Sequence, residues 1–136
     1  MPFLLAAGVG SAIAVHLFSR RMAAIGGEGP ASHLNWVRFL AYCPWLVKEI
    51  TIAAWDVTKR ILHPKLPISP ALVEFTPSQM TDVGLVIHAN SITLTPGTIS
   101  VEVEPGRFLV HALTRAGAES LAGSEMDRRC AELEVR

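Results

Sequence analysis

Hydrophobic and polar positions divide the chain into three regimes. The first is unbroken: Met1–Phe18 carries no formally charged residue. Such a stretch in helical form reaches about 27 Å, close to the thickness of a hydrocarbon core. Small residues recur along it at four-residue spacing, as Ala6, Gly10 and Ala14 and in parallel as Gly8 and Ala12, a face that lets a second helix approach closely within a bilayer. Arg20 and Arg21 follow the apolar run instead of preceding it. That order is the reverse of a signal peptide and places the N-terminus outside and the two arginines in the cytoplasm. Residues 19–33 then read as a loop around Gly26-Gly27-Glu28-Gly29-Pro30, with Ser32 or Asn35 able to cap the next helix.

The second regime, Leu34–Leu62, has helical periodicity. At about 100° per residue, Arg38, Lys48, Glu49, Asp56, Lys59 and Arg60 share an arc of about 120°. Phe39, Leu40, Cys43, Leu46, Val47, Ile50, Ala54, Val57 and Ile61 fall on the other side. Tyr42, Trp45 and Trp55 lie on or beside the charged arc, where amphipathic rings favour a membrane–water boundary. Two placements fit: a bilayer span with its charged stripe turned into a protein interface, or a helix along the cytoplasmic surface that starts afresh at Pro44. Lys48 and Glu49 would sit near the middle of a span, where a charge costs about 2.5–3.5 kcal/mol. Local pairs between Asp56 and Arg60 or Lys59 reduce the cost of either arrangement.

Pro64, Pro67 and Pro70 end the helical pattern and form a semi-rigid linker. The third regime has the punctuation of a compact α+β unit in the order βαββα. It comprises a short strand over 72–75, a helix from Ser78 to about Leu94, a strand over 98–104, a Pro105-Gly106 turn, a return strand over 107–113 and a final helix over 116–134. In the second strand Ile99, Val101 and Val103 alternate with Ser100, Glu102 and Glu104. In the final helix Ala118, Ala122, Met126 and Cys130 recur at i+4, on what reads as a surface helix.

Charge sharpens the division. Seven basic residues stand against three acidic ones before position 66, and five against nine after it. The domain boundary is therefore placed near residue 66, between a membrane region (1–65) and a small cytoplasmic α+β domain (66–136). Charged residues make up 18% of the chain, below the typical ~25% of soluble domains. A half that is both basic and apolar suits an anionic membrane surface and not nucleic acid, which calls for an open basic patch. Cys43 and Cys130 lack C-x-x-C spacing and read as unpaired thiols of a reducing compartment.

Little in the chain points to catalysis. There is no phosphate-binding glycine loop, no Gly-x-Ser-x-Gly elbow and no paired-acid motif, and the five histidines lack zinc-ligand spacing. His16 reads as an interfacial histidine, and Glu49 and Asp56, on one face, as ion-pair partners more than as a proton relay. Neither a cofactor nor a metal is expected, and the chain does not read as an enzyme. The most specific stretch is Ala89–Thr98, ANSITLTPGT. Asn90, Ser91, Thr93, Thr95 and Thr98 carry short polar side chains that bond backbone where a helix ends, and Pro96-Gly97 forces a turn. The favoured reading is a specified helix-to-strand corner. The others are a docking surface for a partner and direct cation coordination.

This stretch resembles the signature of the E subunit of Mrp-type multisubunit Na+/H+ (or K+/H+) antiporters. Arg38-Phe39-Leu40, Pro44-Trp45-Leu46, Lys48-Glu49-Ile50 and Asp56-Val57-x-Lys59-Arg60 look like that family's second block, and Pro64 with Ile68-x-Pro70 is similar to its linker. The resemblance covers roughly residues 30–113. Members of the family are expected to carry one further hydrophobic segment ahead of the Gly/Ala-rich helix. The resemblance implies a non-catalytic subunit in the bacterial plasma membrane that supports assembly, stability and monovalent cation transport. Its partners would be the large proton-pumping subunits, other small membrane subunits and lipid. The competing reading is a free-standing membrane-anchored binding module with a cytoplasmic head.

Overall fold

The computed structural model describes residues 2–25 and 34–134, with side chains from residue 6 in the first stretch to residue 22. The chain divides into two units, Met1–Ser32 and His33–Arg136. The described residues of the first form a single helix, α1 (Pro2–Ile25). Every described side chain in it is exposed, and among the described residues nothing lies within 4 Å of the positions that a Cβ on Gly8 or Gly10 would occupy. Among the described residues no helix is long and apolar enough to cross a membrane. The span expected over residues 1–18 lies partly outside the described side chains. The loop expected over residues 19–33 does not begin at 19, because α1 continues to Ile25, and its glycine-rich part and Ser32 lie outside the described residues.

The second unit begins with α2 (Trp36–Leu62) and continues as β1 (Ala71–Phe75), α3 (Asp82–Leu94), β2 (Thr98–Glu104), β3 (Arg107–Ala112), α4 (Arg115–Glu119) and α5 (Glu125–Glu132). Asn35 caps α2 by accepting from the Arg38 backbone N–H at 3.1 Å. The helix passes through Pro44 without interruption, so the restart expected there does not occur. The division between units falls ahead of α2, whereas charge balance placed a boundary near residue 66. The reason is that α2 is bonded to the head: the Asn35 N–H donates to the Leu133 carbonyl at 2.8 Å, and Arg38 Nη1 donates to the Glu132 carbonyl at 2.8 Å.

The sheet is antiparallel with order β1-β3-β2. Its inner face supplies Phe75, Phe108 and Val110 to a core closed by Leu85 and Ile92 of α3, with Leu121 and Met126 packed against it. Burying side chains of this size contributes about 1.5–3 kcal/mol each. The opposite face carries Leu72, Ile99 and Val101 exposed. There Arg107 ties the charged end of the sheet together by pairing with Glu74 (3.1 Å), Glu102 (3.2 Å) and Glu104 (3.6 Å).

Three further expectations change. The alternation read over β2 breaks at a bulge between Ser100 and Glu102. Ile99 therefore shares a face with Glu102 and Glu104, while Ser100 and Val103 share the inner one, because one extra residue reverses the phase of every later side chain. The helix expected from Ser78 starts at Asp82, capped by Thr81. Residues 78–81 form a strap whose backbone N–H groups go to carboxylates instead: Ser78 to Asp127, and Met80 and Thr81 to Glu134. The single final helix is two, α4 and α5, separated where Gly123 takes φ 62 and Ser124 caps α5 by accepting from the Asp127 N–H.

Candidate functional site

The ANSITLTPGT stretch forms the last turns of α3 and the corner into β2. Its polar groups are used locally, one after another. The Ser91 hydroxyl donates to the Ile87 carbonyl at 2.8 Å, and the Thr95 hydroxyl to the Ser91 carbonyl at 2.8 Å. The Thr98 hydroxyl reaches the carbonyls of Ile92 (2.7 Å) and Thr95 (2.9 Å), and Thr93 Oγ1 accepts from the Ser100 N–H at 3.2 Å. The C-terminal carbonyls of a helix have no partners of their own. Here hydroxyls supply them, while Ile92 anchors the turn in the core. Pro96 ends the helix. Gly97 follows at φ 93, in the left-handed region that favours glycine, and its carbonyl accepts from the Leu113 N–H at 2.7 Å.

Helix α2 is seated on this corner. The Tyr42 hydroxyl donates to Ser91 Oγ at 2.9 Å and accepts from Cys130 Sγ at 3.3 Å. One hydrogen-bonded chain therefore runs from α5 through α2 into α3. Burial pushes the Tyr42 phenol well above its usual range and the Cys130 thiol up to about 11. Both were expected elsewhere, Tyr42 at a membrane–water boundary and Cys130 on a surface helix. Instead Tyr42 is 4% exposed and Cys130 is 0% exposed. Trp45, also expected at a boundary, is half-buried, with its ring under the Arg129 guanidinium at 4.6 Å.

Toward its C-terminal end α2 meets the corner again. A Cβ on Gly97 would lie 3.2 Å from Val57 Cγ2. Between helix and corner is a cavity of about 200 Å³, lined by Asp56, Val57, Arg60, Thr95, Thr98 and Thr114 among others. Two groups of residues singled out in the sequence, the motif and the charged stripe, thus come together here. The stripe is neutralised locally. Arg60 Nε bonds Asp56 Oδ2 at 2.7 Å while its Nη1 donates to the Pro67 carbonyl at 3.2 Å. Lys48 lies 3.8 Å from Glu49, and Lys59 stands 5.7 Å from the Trp55 ring centroid.

The side of α2 expected to be uniformly apolar is split. Phe39, Leu46, Ile50 and Val57 are half-buried, whereas Leu40 and Val47 are exposed. Within the motif, Asn90 is exposed, as are Thr93 and Leu94.

A second buried network escaped the sequence reading. Gln79 Nε2 donates to the Asp127 carbonyl at 2.7 Å and to Asp127 Oδ1 at 3.1 Å, which turns Gln79 Oε1 toward His88 Nδ1 at 2.8 Å. The Ser78 hydroxyl completes the cage on Asp127 Oδ2 at 2.6 Å. His88 is fully buried between Phe75 and Phe108, and its Nε2 has no partner among the described residues. Burial lowers the His88 pKa, and nearby Asp127 opposes that shift in part.

Residues 2–133 match the family described as MNHE, Na+/H+ ion antiporter subunit. The chain is 31% identical over 85 residues to the E subunit of the Na+/H+ antiporter of Bacillus subtilis, covering 61% of this chain and 54% of that protein. It is 34% identical over 76 residues to the corresponding E subunit of the Na+/H+ antiporter of Alkalihalophilus pseudofirmus, covering 54% and 48%. It thus spans about half the length of these relatives. Among solved structures, a chain of the membrane-bound sulfane sulfur reductase, an archaeal respiratory membrane complex, is similar at 32% identity with a TM-score of 0.59, covering 71% of this chain and 63% of that one. A family match over nearly the whole chain places this protein in the Na+/H+ ion antiporter subunit family.

Proposed function

We propose that the protein is a non-catalytic membrane subunit of a multisubunit cation/proton antiporter of the Mrp type. In this reading it supports assembly and stability of the complex in the bacterial plasma membrane, with its α+β head in the cytoplasm and the other antiporter subunits as partners. One observation carries the reading: the hydroxyls of the family signature are spent on closing the α3–β2 corner and on holding Tyr42 of α2. The hydroxyls of Ser91, Thr95 and Thr98 are each held in place by a bond to a helix or corner carbonyl, and Ser91 Oγ also accepts from Tyr42, so in this reading the stretch serves shape and attachment.

The outward face of the same helix supplies the docking surface in this reading. Val86, Asn90 and Leu94 recur at i+4 on α3 and are exposed. The test is co-purification from the native host in mild detergent. Wild-type chain is expected to bring down the larger subunits. Asn90→Lys and Leu94→Lys are expected to lose them while keeping the far-ultraviolet circular dichroism of the wild type. Intact antiporter lacking this chain, or complexes indifferent to both substitutions, would overturn the proposal.

A further inference from the structure

Helix α2 touches the head at both ends. Near its start, Asn35 and Arg38 bond the carbonyls of Leu133 and Glu132, and Tyr42 bonds Ser91. Near its end, Val57 abuts Gly97, and Arg60 lines the cavity at the corner. The distance along the helix from Asn35 to Val57 is about 33 Å, as long as a hydrocarbon core is thick. A bilayer span by α2 would therefore draw the head, with Glu102, Glu104 and Arg107 on its sheet, through the membrane beside it. Charged side chains and sheet edges exposed to lipid forbid that.

The side of α2 turned away from the head has its own character. Leu40, Val47, Thr51, Trp55, Thr58 and Leu62 follow one another at helical spacing, and all are exposed. Its two hydroxyls are already satisfied within the helix: Thr51 donates to the Val47 carbonyl and Thr58 to the Ala54 carbonyl, each at 2.7 Å. Lys48 and Lys59 are exposed along one border of the row. Both acids of the helix, Glu49 and Asp56, lie further round the same charged arc, beyond the lysines and toward the head, where Glu49 is 3.8 Å from Lys48 and Asp56 is held by Arg60. A row that is apolar and internally satisfied, bordered by cations only, is the pattern of a helix lying in an anionic lipid interface.

We propose that α2 docks flat on the cytoplasmic surface of an anionic bilayer, with the Leu40–Leu62 row inserted at headgroup depth and the head held against its other side. This deepens the membrane-subunit reading, on which the presence of a bilayer rests. It makes α2 a platform between lipid and head.

The test uses the full chain reconstituted into phosphatidylcholine vesicles, with or without phosphatidylglycerol. In a Cys43→Ser background, nitroxide labels are placed one at a time through Leu40→Cys, Val47→Cys, Thr51→Cys and Thr58→Cys. Oxygen and a nickel chelate report depth. All four labels are expected at one shallow depth, about 5–10 Å below the headgroups. Ala53→Cys, on the head side, is expected to be shielded from both probes. With phosphatidylglycerol present, Lys48→Gln and Lys59→Gln should each lower the docked-to-undocked ratio about fivefold.

A depth profile peaking at Val47 would mean a span and overturn the proposal. Nickel-accessible labels at all four positions would mean no lipid contact and overturn it equally. Labels shielded from both probes in the intact complex would overturn it by showing that another protein covers the row. Each of these outcomes leaves the co-purification result untouched, so failure of the docking and failure of the subunit reading are told apart.

Discussion

The hydroxyls of Tyr42 and Ser91 meet at 2.9 Å across 49 positions of sequence, in a site closed to solvent. Ser91 belongs to the ANSITLTPGT stretch and Tyr42 to the helix that precedes the linker, so this one bond ties α2 to the α3–β2 corner. Neither hydroxyl is idle beyond the pair: Tyr42 also accepts from Cys130, and Ser91 donates to the Ile87 carbonyl.

Removing one member of such a chain strands the others. Tyr42→Phe is expected to destabilise the second unit by about 1–2 kcal/mol, because the buried Ser91 oxygen and Cys130 thiol lose a partner. Ser91→Ala should cost a similar amount. The double variant should cost clearly less than the sum, since the second change removes the group that the first left unpaired. Denaturant unfolding of all four proteins in one mild detergent measures the cycle. Strict additivity would show that the bond contributes nothing.

Cys130 and Cys43 should differ sharply toward a thiol reagent. The thiolate is the reactive species, and Cys130 is buried with its pKa pushed up to about 11. Maleimide labelling at neutral pH is expected to modify Cys43 first and Cys130 only once denaturant unfolds the head. Tyr42→Ala, which opens the site over Cys130, should advance Cys130 labelling at denaturant concentrations that leave the wild type protected.

How far the sequence carried this structure depended on whether the signal was local. The Pro105-Gly106 turn was legible because glycine there takes φ 81. The α3–β2 corner was legible because its hydroxyls bond carbonyls only a few residues away. The start of α3 and the break before α5 were misread although signals existed. Thr81-Asp82 and Ser124-x-x-Asp127 are both cap patterns, and they lost to a start at Ser78 and to a run of i+4 apolar residues. The bulge at Val101 has no local sign, since valine is an ordinary strand residue. The burial of Tyr42, His88 and Cys130 could not be read at all, because each is decided by partners brought in by folding.

Gly97 is where local and tertiary demands coincide. It takes φ 93, and a Cβ would lie 3.2 Å from Val57 Cγ2. Gly106 takes φ 81 with nothing near. Gly106→Ala should therefore cost only the left-handed backbone penalty, about 1–2 kcal/mol. Gly97→Ala should cost that and the displacement of α2 as well. Val57→Ala in the Gly97→Ala background should recover part of the excess and recover nothing in the Gly106→Ala background. Thermal unfolding midpoints of these variants check the ordering, and equal losses at the two glycines would refute a tight seat for α2.

The second network makes the head sensitive to acid. His88 Nδ1 faces Gln79 Oε1 at 2.8 Å and Asp127 Oδ1 at 3.5 Å, Phe75 and Phe108 flank the ring, and Nε2 meets no acceptor among the described residues. A proton on Nε2 would be buried without a partner, which is why burial lowers the pKa in the fold. In the unfolded chain the imidazole titrates near its ordinary value of about 6.5. Stability from His88 is thus fully present above about pH 6.5, where both states are neutral. It declines as pH falls below that value, because the unfolded chain takes a proton that the fold refuses, and the decline stops below the folded pKa. The contribution of this one group has a slope of at most about 1.4 kcal/mol per pH unit. His88→Phe keeps an aromatic ring between Phe75 and Phe108 but cannot titrate. Its overall stability should drop, since Gln79 Oε1 loses its donor, yet its unfolding midpoint should vary less than the wild type's between about pH 7.5 and 5. Parallel pH profiles for the two proteins would show that His88 is not the group whose protonation the fold resists.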